Sequence, residues 1–201
     1  MFCYVAAKLL FRGIHLTPVT PPALRYKNLL IASAVLLAIG FIIYKIYDYY
    51  KVLDFVNGDQ VPELSYPDPN GKPIALSSLE GNIVFVQFWA GWCGPCRMEN
   101  RQLVPLYAKY HKAKFENAKG FEIYSISLDY NRDYWIRAIQ QDGLTWPWQV
   151  STLQGWNSDA ALKFGVRSIP ASILIDEKGM IIGSNLVPNQ VEKILQHRMQ
   201  K

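Results

Sequence analysis

Two cysteines three positions apart, Cys93 and Cys96, carry the reactive chemistry of this 201-residue chain. They stand in FWAGWCGPC, directly after Ile83–Phe88 (IVFVQF), a run of β-branched and aromatic residues suited to a buried strand. A C-x-x-C at the start of a helix brings its two sulfurs within one turn, close enough to bond. Cys93, at the helix N-terminus, faces unpaired backbone N–H groups and the positive end of the helix dipole, and both favour its thiolate. Cys96 lies one turn deeper and is shielded. That asymmetry gives Cys93 the attack on a substrate disulfide and Cys96 the resolution of the mixed disulfide. Pro95 suits the first helical turn, where no N–H partner is needed. A zinc site would need two more ligands, and the remaining Cys3, His15, His111 and His197 are scattered. No metal or other cofactor is expected.

The elements that must position this pair are legible as strands alternating with helices. Asp68-Pro69-Asn70-Gly71 is a turn signal between two short extended pieces. A helix is predicted from the cysteine motif to about Ala113, with Leu103, Leu106, Tyr107 and Tyr110 on one face and a kink at Pro105. Phe121–Leu128 reads as a second strand, and Arg132–Gln141 as a helix ending at Gly143. Ser158–Phe164 is a short helix capped by Asn157 or Ser158 and followed by Gly165. Ala171–Asp176 and Met180–Ser184 form a hairpin around Glu177-Lys178-Gly179, and Val191–Met199 closes the chain as an amphipathic helix. The pattern predicts an α/β sandwich around a mixed sheet over residues 61–201.

Upstream, Leu29–Tyr44 (LLIASAVLLAIGFIIY) holds no charge and no proline, and Ile46 and Tyr47 extend it to a predicted span at 29–47. Lys8, Arg12, Arg25 and Lys27 precede the run; Lys45 and Lys51 after it are offset by Asp48 and Asp54. The positive-inside bias puts residues 1–28 in the cytoplasm and the remainder outside, beyond a stalk at 48–60. The expected location is the inner membrane, single-pass, with the catalytic domain on the periplasmic side. Ala38-Ile39-Gly40 is a small-x-small match for signal cleavage, but the apolar run continues past it through Phe41–Tyr44, which favours an uncleaved anchor. Of the formal charge of +5, residues 1–60 supply +3 (six Lys/Arg against three Asp/Glu) and the rest only +2 (fifteen against thirteen). The globular part is thus near neutral and carries no basic-aromatic block, so nucleic acid is not an expected partner. Cys3 lacks a preceding hydrophobic stretch and reads as incidental.

FWAGWCGPC resembles the active-site run of the thioredoxin superfamily. With its context, NGKPIALSSLEGNIVFVQFWAGWCGPCRMEN and then VRSIPASILIDEKGMIIG, residues 61–195 resemble the TlpA/ResA-like branch of exported thiol–disulfide proteins. The resemblance implies a thioredoxin-like α/β/α fold and a protein-disulfide reductase. It implies thiol/disulfide protein substrates, for example in cytochrome c maturation, and a membrane electron donor. It places Ile169-Pro170 opposite the dithiol with Pro170 cis, so that Trp92, Gly94, Pro95, Ile169 and Pro170 line the substrate surface, while Trp89 packs. Thioredoxins carry Asp six residues before the first cysteine, where this chain has Gln87. The branch places Glu three residues after the second, and Glu99 stands there, on one helical face with Cys96. It often has Pro five residues after the second cysteine, where this chain has Arg101.

Trp146, Trp148 and Trp156 fall in TWPWQVSTLQGWNS, a family-variable stretch that reads either as a partner site or as a packed loop. Two other functions remain open. A peroxiredoxin-like thiol peroxidase would want Thr or Ser where Ala90 stands, and a non-catalytic, membrane-tethered adaptor would not need both cysteines. Gly94-Pro95 adds no group that stabilises a thiolate, which predicts a reducing dithiol near thioredoxin's value of about −270 mV.

Overall fold

The computed structural model describes residues 22–50 and 57–200, with side chains over 26–47 and 57–200. Cys3, Lys8, Arg12, His15 and stalk residues 51–56 lie outside the described residues.

The chain divides at Asp48/Tyr49 into two units. The first is built on helix α1, Pro22–Tyr50, which opens with proline at a position where no N–H partner is required. Within it Tyr26–Tyr47, 22 residues, is apolar enough to cross a membrane. At 1.5 Å per residue it spans about 33 Å, against a hydrocarbon core of about 30 Å. Its described side chains are exposed throughout. These properties are compatible with a single-pass anchor.

The second unit opens with a small hairpin, β1 (Ser65–Pro67) and β2 (Pro73–Ala75), antiparallel. Asp68 closes it as the sequence suggests, its Oδ1 accepting the N–H groups of Asn70 (2.7 Å) and Lys72 (2.8 Å). There follow β3 (Ile83–Trp89), α2 (Gly94–Tyr110), β4 (Phe121–Ser127), α3 (Arg132–Asp142) and β5 (Gln149–Ser151). The chain ends in α4 (Asp159–Lys163), β6 (Ala171–Ile175), β7 (Ile181–Ser184) and α5 (Pro188–Arg198). The central sheet runs β5-β4-β3-β6-β7. β3, β4 and β5 are mutually parallel, while β6 is antiparallel to β3 and β7 to β6. This is the predicted mixed sheet. All seven residues of β3 are buried, as a central strand covered on both faces requires.

Four places differ from the sequence reading. The Trp-rich stretch, read as a partner site or a packed loop, contains β5, a strand that extends the central sheet, and Trp146 within it is fully buried. Residues 58–60, read as stalk, belong to the folded unit. Gly58 N–H donates to the Ile181 carbonyl (2.8 Å) and Ile181 N–H to the Asp59 carbonyl (2.9 Å), because β7 would otherwise leave its outer edge unpaired. α5 begins at Pro188, not Val191, since proline fits its first turn. α2 ends at Tyr110, short of Ala113, and runs through Pro105 as one helix.

Candidate active site

The site forms where β3 gives way to α2. Ala90–Trp92 make the turn, and Cys93 is the N-cap of α2, its Sγ accepting the N–H of Cys96 at 3.2 Å. The two sulfurs are bonded, with Cα atoms 5.2 Å apart, inside the range a disulfide accepts. Cys93 is 5% exposed and Cys96 1%, so the first sulfur is the one nearer solvent. The loop before β6 closes the other side. β6 runs antiparallel to β3 with Ala171 opposite Phe88, which carries Ile169-Pro170 to the edge where Cys93 sits. The Ile169–Pro170 bond is cis, and the Ile169 carbonyl oxygen lies 3.9 Å from Cys93 Sγ. Pro95 lies in the first turn, exposed like Gly94. Trp92 is exposed and Trp89 fully buried.

Glu99 is half-buried one turn beyond Cys96. Burial pushes its carboxyl up to about 7. It borders a cleft of about 190 Å³ that it shares with Pro170, Ser172, Asn185, Leu186 and Val187. The cleft thus joins a carboxyl poised near neutrality to the Ile169-Pro170 loop.

Gln87, on β3, is buried. Its Nε2 donates to Ser125 Oγ (2.8 Å) and to Asn100 Oδ1 (3.3 Å). Trp146 Nε1 donates to the same Ser125 Oγ at 2.7 Å, which ties the Trp-rich stretch to the floor of the site. Asn100 Nδ2 then donates to Asp142 Oδ2 (3.0 Å), the oxygen that also accepts a short hydrogen bond from Arg97 Nε. A neutral amide therefore satisfies the interior where thioredoxins keep a carboxyl, and the first carboxyl after Cys96 along α2 is Glu99.

Sequence reasoning missed a clamp on Gly91, two residues ahead of Cys93. Gly91 N–H donates to Asp129 Oδ2 at 2.8 Å, and the Gly91 carbonyl accepts from Arg97 Nη1 at 3.1 Å. Asp129 is 1% exposed and is held by Ser127 Oγ (2.8 Å). Its burial raises the carboxyl pKa, while the Gly91 N–H, Ser127 and Arg97 pull it the other way. A Cβ on Gly91 would stand 2.9 Å from both Ala138 Cβ and Tyr134 Cε1, so only glycine lets α3 approach this closely. The signals for these groups were slight: Arg97 directly follows the second cysteine, and Asp129 stands just past the end of β4. Among the described residues no group of three or more His, Cys, Asp or Glu comes together as a metal site.

This geometry can exchange thiols for disulfides: a solvent-edge sulfur, a shielded partner, a carbonyl to receive a peptide and a carboxyl to move a proton. Comparison with known proteins agrees. The Redoxin family model matches residues 56–197. The thiol-disulfide oxidoreductase ResA of Bacillus thuringiensis subsp. konkukian is 30% identical over 161 residues, 78% of this chain and 87% of that protein. ResA of Bacillus anthracis is 29% identical over 180 residues, 87% of this chain and 97% of that protein. Among solved structures, the thioredoxin domain of a thiol-disulfide oxidoreductase from Bacteroides vulgatus superposes with a TM-score of 0.62 at 29% identity, covering 71% of this chain and 99% of that one.

Proposed function

The chain belongs to the Redoxin family and is a TlpA/ResA-like thiol–disulfide oxidoreductase with a thioredoxin fold, and on that footing we propose that it reduces disulfides of envelope proteins, with Cys93 attacking, Cys96 resolving and Glu99 carrying the proton. The observation that supports this most is the Cys93–Cys96 bond at the N-terminus of α2, with the Ile169 carbonyl 3.9 Å from the outer sulfur.

The reaction starts from the reduced pair. The Cys93 thiolate attacks one sulfur of the substrate disulfide, forming a mixed disulfide and releasing the other substrate sulfur as a thiolate. Cys96 then loses its proton to the Glu99 carboxylate and attacks Cys93 Sγ, so that the Cys93–Cys96 bond forms and the second substrate sulfur leaves. Two electrons have passed to the substrate. A carboxyl held near 7 is divided between acid and base at neutral pH, which suits it to accept this proton and to return it when the pair is re-reduced. The Ile169 backbone, together with Trp92, Gly94 and Pro95, receives the substrate as an extended chain.

The anchor is the part of α1 at 29–47, within its apolar stretch; residues 1–28 lie on the cytoplasmic side, and the domain faces outward, where a membrane-bound thiol donor returns the electrons. Apocytochrome c, with paired cysteines that must be reduced before haem attachment, is the substrate class this placement favours. A peroxidase reading has less support, because Ala90 offers no hydroxyl beside Cys93. Reduction of insulin disulfides by the full chain in detergent tests the activity: a rate that vanishes in Cys93→Ser supports it, and an equal rate in that variant refutes it. A membrane-impermeant maleimide applied to intact spheroplasts after reduction tests the placement. Labelling of Cys93 before lysis is expected, and labelling only after lysis would reverse the topology.

A further inference from the structure

The parallel strands β3, β4 and β5 end at one edge of the sheet, so the segments that follow them, 90–93, 128–131 and 152–158, gather there with Cys93. Loops at the carboxyl ends of parallel strands are where such sheets meet their ligands. Two aromatic residues from these segments, Trp156 and Tyr130, lie outward of the dithiol's own turn. Trp156 lies beside Trp92, ring centres 6.3 Å apart and tilted by 55°. Tyr130 is 59% exposed, and its Oη accepts the N–H of Trp156 at 3.4 Å.

The arrangement is built rather than incidental. Gly155 takes a φ of +55°, in the left-handed region, and a Cβ there would collide with the Tyr130 ring. The glycine lets that ring lie against the backbone, which fixes Trp156 next to Trp92. Trp156 is partly buried against the core, while Trp92 and Tyr130 on either side of it are exposed, so the cluster presents aromatic surface to which a third ring can pack in the edge-to-face geometry aromatic groups prefer.

We propose that Trp156 and Tyr130 extend the substrate surface outward from Trp92 and select protein disulfides that carry an aromatic residue beside the attacked cysteine. The surface is continuous with Cys93, the sulfur every substrate must reach. The proposal rests on the disulfide-reductase reading above and names the substrate feature that site prefers.

The test uses the pre-reduced full chain in detergent and two disulfide peptides that differ only in Phe or Ala next to the cysteine, with released thiol quantified to give second-order rate constants. The wild-type chain should favour the Phe peptide by about 3- to 10-fold, the worth of one aromatic pair. Trp156→Ala should bring that ratio close to one, and Trp156→Phe should keep most of it. Because the ratio is taken within one protein, a folding defect, which lowers both rates together, leaves it unchanged. A wild-type ratio of one, or an undiminished ratio in Trp156→Ala, overturns the proposal. Failure of the wild-type chain to reduce either peptide overturns the reductase reading instead, and this proposal with it.

Discussion

Replacing Glu99 by Gln keeps the size and hydrogen-bonding reach of the side chain but removes its titration. With its carboxyl near 7, Glu99 is about one-tenth ionised at pH 6, half at pH 7 and nine-tenths at pH 8. If the carboxylate takes the proton of Cys96, resolution of the mixed disulfide should quicken about tenfold between pH 6 and pH 8, with an inflection near 7. In Glu99→Gln that inflection should vanish, and the rate at pH 8 should fall by on the order of 10²-fold at most. Stability supplies a second readout. The folded pKa is raised, so burial carries no charge penalty below the unfolded value of 4.5, where both states are protonated. As pH climbs from 4.5 through 7 the unfolded chain ionises first, and stability falls. The whole shift corresponds to about 3 kcal/mol, and about half of that once water reaching this half-buried group is allowed for. Glu99→Gln should therefore match the wild type at pH 4.5 and melt about 3–6 °C higher at pH 8. Stopped-flow resolution and thermal melts of the oxidised protein across that range check both. Superimposable pH profiles for the two proteins would refute the reasoning and leave Glu99 a surface charge.

Two further variants probe the frame around the dithiol. Gly91→Ala, with its methyl 2.9 Å from Ala138 and Tyr134, should cost about 1–3 kcal/mol and slow Cys93 alkylation in the reduced protein; a denaturation midpoint equal to that of the wild type would show that α3 can yield. Arg97→Ala leaves the Asp142 carboxylate, 2% exposed, with Asn100 and without its cation, and should cost about 3 kcal/mol by chemical denaturation. Asp142→Asn combined with Arg97→Ala should recover part of that loss.

The dithiol and its setting were readable because their signals are local. A β-branched run flowing into C-x-x-C identifies β3, the turn and α2 without tertiary knowledge, and Asp68–Gly71 closes its hairpin through its own side chain. The Ile169-Pro170 position was legible only through resemblance, since nothing in a serine-isoleucine-proline triplet says which loop it will face. β5 was hidden because three residues carry no measurable alternation, and flanking Pro147 and tryptophans read as a loop; pairing with Ser125–Ser127 makes it a strand. Asp129, Arg97 and Asp142 were hidden for a different reason. Charged residues default to the surface in any sequence reading, and only the tertiary meeting of β4, α2 and α3 buries Asp129 and Asp142 and brings Arg97 between them. The start of α5 was misplaced because apolar spacing begins at Val191, one turn after Pro188 opens the helix.

The central claim, that Cys93 attacks and Cys96 resolves, is tested most directly by trapping. Expressed in cells and quenched with acid, full-length Cys96→Ser should accumulate mixed disulfides with substrate proteins, each joined through Cys93 and released by dithiothreitol. Cys93→Ser should trap none, because Cys96 sits 1% exposed beneath it. Equal trapping by the two variants, or trapping by Cys93→Ser alone, would contradict the assignment.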